Sequence, residues 1–159
     1  MAILTARPAK RVWNKDDDDD DIPVVEARLL NRGKSNLWLS DVTYGEYEPA
    51  RHSASHNSWV TVEDVHGREL PTACHLDTWD TEPVRYRLLP PGQSMEWSAL
   101  VYCRDFGVGG RFKVTVHYWD RNPTPPMTPA SAVLLSVRVD SEPAWITVVV
   151  GSGKGEPHR

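Results

Sequence analysis

The apolar residues of this 159-residue chain come in short runs of period two, and proline or glycine breaks nearly every run. In "SMEWSALVYC", Met95, Trp97, Ala99 and Val101 alternate with Glu96, Ser98, Leu100 and Tyr102. In "RFKVTVHYW", Phe112, Val114, Val116 and Tyr118 alternate with Lys113, Thr115, His117 and Trp119. Successive side chains of a strand point to opposite faces, so such runs are built to cover a core with one face. Leucine and alanine recur at helical spacing over no long window, and the 13 prolines and 10 glycines are spread between the runs rather than gathered in a tail. The chain therefore predicts short strands joined by turns.

The expected strands are "IPVVEARLLN", "KSNLWLSDV", a hairpin in "WVTVEDVHGRELPTA", "SMEWSALVYC", "RFKVTVHYW", "SAVLLSVRVDS" and "AWITVVVG". Gly67 supplies the positive φ that the hairpin turn wants. Residues 74–93 leave open whether "VRYRLL" is a strand, and "LLPPGQS" ends whatever precedes it. Eight or nine strands in one domain point to an antiparallel two-sheet sandwich, with a closed barrel as the competitor. The final run "WITVVV" would be an assembly or aggregation hazard if left uncovered, and a sheet edge is a route to pairing with a second copy.

"LLPPGQSMEW" followed by "GGRFKVTVHYWDR" resembles the late strands of bacterial immunoglobulin-like sandwich domains, through Leu89, Pro91, Gly92, Gly110, Phe112, Val114, Val116 and Tyr118. The resemblance implies an immunoglobulin-like fold and a habit of binding, with no catalytic residues. It departs from the antibody pattern in lacking a cysteine within 111–119 and in the length of the 43–58 connection.

Charge divides the chain. Arg7, Lys10, Arg11 and Lys15 precede six aspartates, Asp16 to Asp21, and the remainder is close to neutral. The reading is a disordered leader at 1–21, a sandwich at 22–150 and a flexible tail at 151–159, because adjacent carboxylates repel and bury no apolar area. No basic field argues for nucleic acid. The N-terminus has no signal-peptide core, and no run reaches the ~18 apolar residues that mark a membrane span. The expectation is a cytoplasmic protein without a membrane partner, with Cys74 and Cys103 as reduced thiols.

Candidate chemistry is sparse. His117 and Asp120 point to opposite faces of one strand and so form no dyad, and no serine or cysteine nucleophile sits beside them. Lys113, Thr115, His117 and Trp119 read as an exposed face. His52 and His56, with Cys74 or His75, lack the spacing of a recognisable metal site, and the aspartate run lacks the alternation of a calcium loop. "GVGGR" enters a strand rather than a helix, so no phosphate loop is expected. Asp77, Asp80 and Glu82 read as an ordinary polar loop, and "PTPP" as a stiff connection. No metal or cofactor is expected.

Of seven tryptophans, Trp97 and Trp145 read as core or half-buried, while Trp79 and Trp119 are candidates for exposure. If 74–93 holds no complete strand, the long connections 43–58, 74–93 and 120–131 emerge at one end of the sandwich. If "VRYRLL" is a strand, 120–131 moves to the other end. Long loops in a compact domain are commonly functional. The expected activity is non-enzymatic binding of another protein through Tyr44, Tyr47, Trp79, Arg121 and Pro125. Three alternatives stand beside it: an inhibitor or immunity-type protein, a carbohydrate-binding module using exposed tryptophans, and a metal-dependent enzyme using His52, His56 and Cys74 or His75.

Overall fold

The computed structural model describes residues 1–10, 12–14, 23–42, 57–72, 85–101, 104–120, 122 and 125–150. Among them every regular element is a strand: β1 (Ala2–Pro8), β2 (Val12–Asn14), β3 (Val24–Asn31), β4 (Asn36–Ser40), β5 (Ser58–Glu63), β6 (Tyr86–Leu89), β7 (Ser94–Leu100), β8 (Gly109–Tyr118), β9 (Ala132–Leu134), β10 (Val139–Asp140) and β11 (Ala144–Val149). Among the described residues no helix is long and apolar enough to cross a membrane.

The strands form three open sheets rather than a closed barrel. One has the order β1-β3-β7 and another β6-β4-β9, while the largest runs β10-β8-β11-β2 with β5 on the other side of β8. Period two sets which side chains meet. Val25, Ala27 and Leu29 of β3, Val60 and Val62 of β5, Val114, Val116 and Tyr118 of β8, and Ile146 and Val148 of β11 share one buried core. Their neighbours Glu26, Arg28 and Trp145 face solvent. The arrangement is compatible with a sandwich.

The leader expectation is corrected where the chain is described. β1 pairs antiparallel with β3 over its whole length, Ala2 opposite Asn31 and Pro8 opposite Val25, and β2 pairs parallel with β11. Leu4 and Trp13 are buried at 3% and 4% exposure, which makes both core residues. Arg7 sits on the other face of β1, where it pairs with Glu26 at 3.0 Å, and Lys10 lies over the Trp13 ring. Clustered charge along the sequence is thus compatible with alternation across a sheet. Residues 15–22, with the aspartate run, and 151–159 lie outside the described residues.

Several local expectations are refined. "VRYRLL" does contain a strand, β6. "SAVLLSVRVDS" is two short strands, because Leu135 turns inward while Val137 is exposed, and the ladder breaks between them. The hairpin after β5 closes through Asp64, whose Oδ1 accepts the His66 and Arg68 amides at 2.9 Å, with Gly67 at φ 78°. It continues only as a bridge from Glu63 to Glu69 and the Leu70 amide bonded to the Val62 carbonyl. The run "WITVVV" is not an edge, since β11 lies between β8 and β2.

Gly109 begins β8 at φ 84°, and a Cβ there would stand 2.5 Å from the Val148 carbonyl oxygen. Gly92 has nearly the same φ, 77°, with nothing within 4 Å. Ala at Gly92 should therefore cost only the left-handed penalty, ~1–2 kcal/mol. Ala at Gly109 must also push the β8–β11 ladder apart, and should cost about twice as much. Urea unfolding of the two variants checks the difference; equal losses would place the open space at Gly109 instead.

Candidate functional site

Two arrangements stand out, a converging end of the fold and a hydrogen-bonded cluster on the outer face of the β5–β8–β10 sheet. At the converging end, the close of β4, the start of β5, the start of β6 and the close of β8 meet. Tyr118 is fully buried; its hydroxyl donates to the Ser40 carbonyl at 3.1 Å and accepts from Ser40 Oγ at 2.9 Å. Ser40 faces Tyr86 in the β4–β6 ladder. Tyr86 donates to Asp120 Oδ2 at 2.5 Å, and Asp120 Oδ1 caps the Asn122 amide. The Trp119 amide donates to the Asn57 carbonyl, and Trp97 Nε1 donates to Ser58 Oγ. Burial first, then the Asp120 carboxylate, raises the Tyr86 phenol well above its ordinary value; burial chiefly does the same at Tyr118. Both hydroxyls therefore stay protonated donors.

This convergence bears directly on the long connections. Residues 43–56 are flanked on both sides by this end, through Val42 and Asn57. Residues 73–84 end beside it at Arg85, and the connection after Asp120 begins there. That connection closes elsewhere, since Ala132 lies opposite Asn36 at the start of β4. The presence of β6 therefore does not move the start of 120–131 to the opposite end. The strands β7 and β8 are joined by 101–108 between different sheets, and simple alternation does not carry across that step.

On the outer face, His117 is opposite Trp59 of β5 and Asp140 of β10. It is buried at 4% exposure, which corrects its assignment to an exposed face. The face assignment itself holds; neighbours cover the ring, with Trp59 stacked on it at 5.1 Å. Nδ1 lies 2.8 Å from Asp140 Oδ1, and Nε2 lies 3.0 Å from Thr61 Oγ1. Arg138 Nε donates to the same Asp140 oxygen at 2.7 Å, and Arg138 Nη2 sits 3.0 Å from Nδ1. An ionised carboxylate has no proton to give, so the Asp140 contact calls for the hydrogen on Nδ1, whereas a guanidinium only donates, so the Arg138 Nη2 contact calls for a bare Nδ1. The two contacts select opposite tautomers; with the hydrogen on Nδ1, Nε2 is an acceptor and Thr61 is its donor.

Burial works against the Asp140 charge, but the hydrogen bonds and charges of Arg138 and His117 outweigh it and hold the carboxyl below its usual 3.8. A folded value below the unfolded one contributes stability above the unfolded value, and that stability is lost as pH falls through the folded value. The thermal midpoint should therefore fall more steeply below pH 3.8 in the native chain than in Asp140→Asn. Parallel curves for the two proteins would contradict the contribution.

The rest of this face is aromatic and basic. Trp145 is 40% exposed rather than core, with Arg111 at 4.5 Å over its ring, and Arg138 lies over Trp59 at 5.3 Å. Lys113 pairs with Glu63. Trp119, at the end of β8, is also 40% exposed, and Trp97 is half-buried beneath Tyr118.

Of the residues expected to make contacts, Tyr44, Tyr47, Trp79 and Arg121 lie outside the described residues, as do His52, His56, Cys74, His75 and Cys103. Pro125 is described and half-buried, and no described contact joins it to the converging end. Among the described residues no group of three His, Cys, Asp or Glu side chains is placed to hold a metal ion. Sequence reading missed the Thr61–His117–Asp140 cluster because it sought an acid next to the histidine in the chain. The available signal was the apolar alternation of "SWVTVE" beside that of β8, which places Thr61 on the same kind of face. No protein-family model matches the chain, and no curated protein matches it.

Proposed function

We propose that this chain is a non-enzymatic, immunoglobulin-like sandwich of the cytoplasm that binds another protein at the converging end. The observation that carries the reading is the junction of Ser40, Ser58, Tyr86 and Tyr118, which ties the flanks of residues 43–56, 73–84 and 121–124 to one rigid place. A binding surface is most effective when its contact residues are carried by a scaffold whose own rotamers are fixed. Tyr118, buried, and Tyr86, half-buried, supply that here through their hydroxyl hydrogen bonds. Tyr44, Tyr47, Trp79 and Arg121 are the proposed contacts, since aromatic and arginine side chains dominate interface energies. Pro125 belongs to the same connection as Arg121.

The test is affinity capture from the source organism's lysate with the native chain, a Tyr44→Ala/Tyr47→Ala variant and Trp145→Ala. A stoichiometric protein held by the native chain and by Trp145→Ala, but lost from the tyrosine variant, supports the reading. Retention by the tyrosine variant with loss from Trp145→Ala would move the interface to the outer face and defeat it.

A further inference from the structure

We infer that Thr61 is an acyl-accepting hydroxyl, activated by His117 and Asp140. Three strands build the relay. Thr61 comes from β5, His117 from β8 and Asp140 from β10, and the contacts run in one line, Oγ1 to Nε2 at 3.0 Å and Nδ1 to Oδ1 at 2.8 Å. With the ring hydrogen on Nδ1, the tautomer that the Asp140 contact selects against the Arg138 Nη2 contact, this is the order in which a hydroxyl, an imidazole and a carboxylate cooperate in nucleophilic acyl transfer. Each partner is fixed from outside the relay. Trp59 stacks on the imidazole, Arg138 Nε holds the carboxylate, and the β8 ladders set the register of all three strands. His117 is buried while Thr61 is half-buried and Asp140 half-exposed, so the imidazole is the enclosed member of the relay.

The suitable donor is a small activated ester or thioester. The Thr61 oxygen adds to its carbonyl carbon as the hydroxyl proton passes to His117 Nε2, and Asp140 accepts the Nδ1 hydrogen bond of the resulting imidazolium. Collapse of the adduct breaks the bond to the leaving group, which departs with its electron pair. The acyl group remains on Thr61, and the extra proton leaves His117 for solvent.

The same geometry occupies the amide nearest the hydroxyl. The Val60 and Val62 carbonyls turn away from β8, to Arg104 Nη2 and the Leu70 amide. The intervening residue therefore directs its amide into the ladder, opposite Thr115. The Thr61 amide is thus not free to stabilise an oxyanion, so neither acylation nor removal of the acyl group is helped by that donor. The product of the first step is the protein acylated at Thr61, an activity separate from the proposed partner binding.

The experiment incubates the full chain with p-nitrophenyl acetate and follows O-acetylation of each threonine by peptide mass mapping. Thr115, directly opposite Thr61 and without a hydrogen-bonded histidine, is an internal control that needs no variant. General-base assistance is typically worth ~10²–10⁴-fold, so Thr61 should acquire acetyl at least about tenfold faster than Thr115. Asp140→Asn, at a half-exposed position, should lower the Thr61 rate at least about tenfold and leave Thr115 unchanged. Acetylation of Thr61 at the Thr115 rate, or a Thr61 rate indifferent to Asp140→Asn, would overturn the inference.

Discussion

A chain lacking residues 1–14 is expected to lose cooperative unfolding. The segment reads as a charged leader, yet it supplies the outer strand of the β1-β3-β7 sheet and the strand that covers β11. Its loss exposes the cavities left by Leu4 and Trp13, both nearly fully buried. Large-to-small changes at such positions cost ~2–5 kcal/mol for leucine and ~3–5 for tryptophan. Together they approach the ~5–15 kcal/mol that holds a typical domain together. The deletion also strips β3 of seven paired positions and leaves β11 an uncovered apolar edge, which invites aggregation. Urea unfolding followed by tryptophan fluorescence should give a broad, non-sigmoidal loss of signal. A sigmoidal transition at the native midpoint would mean that the domain begins at β3 after all.

The second large effect is expected at Asn31, which is completely buried and joins two turns. Its Nδ2 donates to the Ser35 carbonyl at 2.9 Å and the Leu89 carbonyl at 2.8 Å, and its Oδ1 accepts the Gly33 amide at 2.9 Å. Its backbone exchanges bonds with Gln93 and Gly92. One side chain thus fastens the β3–β4 turn to the β6–β7 turn, and with them two of the three sheets. Asn31→Ala removes all three side-chain bonds and strands buried groups, each worth ~1–3 kcal/mol. A loss of about 4 kcal/mol is expected, or about 10 °C in the thermal midpoint at this size. Asn31→Asp, nearly identical in shape, should be worse, because a carboxylate would face two carbonyl oxygens. Variants within about 1 kcal/mol of the native chain would show that the turns are held independently.

The legible part of this fold was the part written in period two. β3, β5, β8 and β11 bury alternate residues as their sequences suggest, and Phe112, Val114, Val116 and Tyr118 line the core. The same rule, applied to β11, turns Trp145 outward once Ala144 and Ile146 point in, so its exposure was available and overlooked. β1 was not legible. Only Leu4 of its residues is fully buried, too weak an alternation to stand against the charges around it. The His117 cluster was hidden for a different reason. Thr61 and Asp140 are 56 and 23 residues away in sequence, and strand register alone brings them to the ring. Local pattern gives the face of a residue, whereas its partners across a sheet depend on which strands pair.

The convergence of Ser40, Ser58, Tyr86 and Tyr118 makes partner binding at that end the central claim. The most direct measurement is the dissociation constant of the captured protein, by calorimetry, for the native chain, Tyr44→Ala/Tyr47→Ala and Trp145→Ala. Interface anchors are worth ~2 kcal/mol or more, so the tyrosine variant should bind about thirtyfold more weakly, with Trp145→Ala close to native. An unchanged constant for the tyrosine variant beside a large loss for Trp145→Ala would contradict the account and assign binding to the sheet face around Arg111.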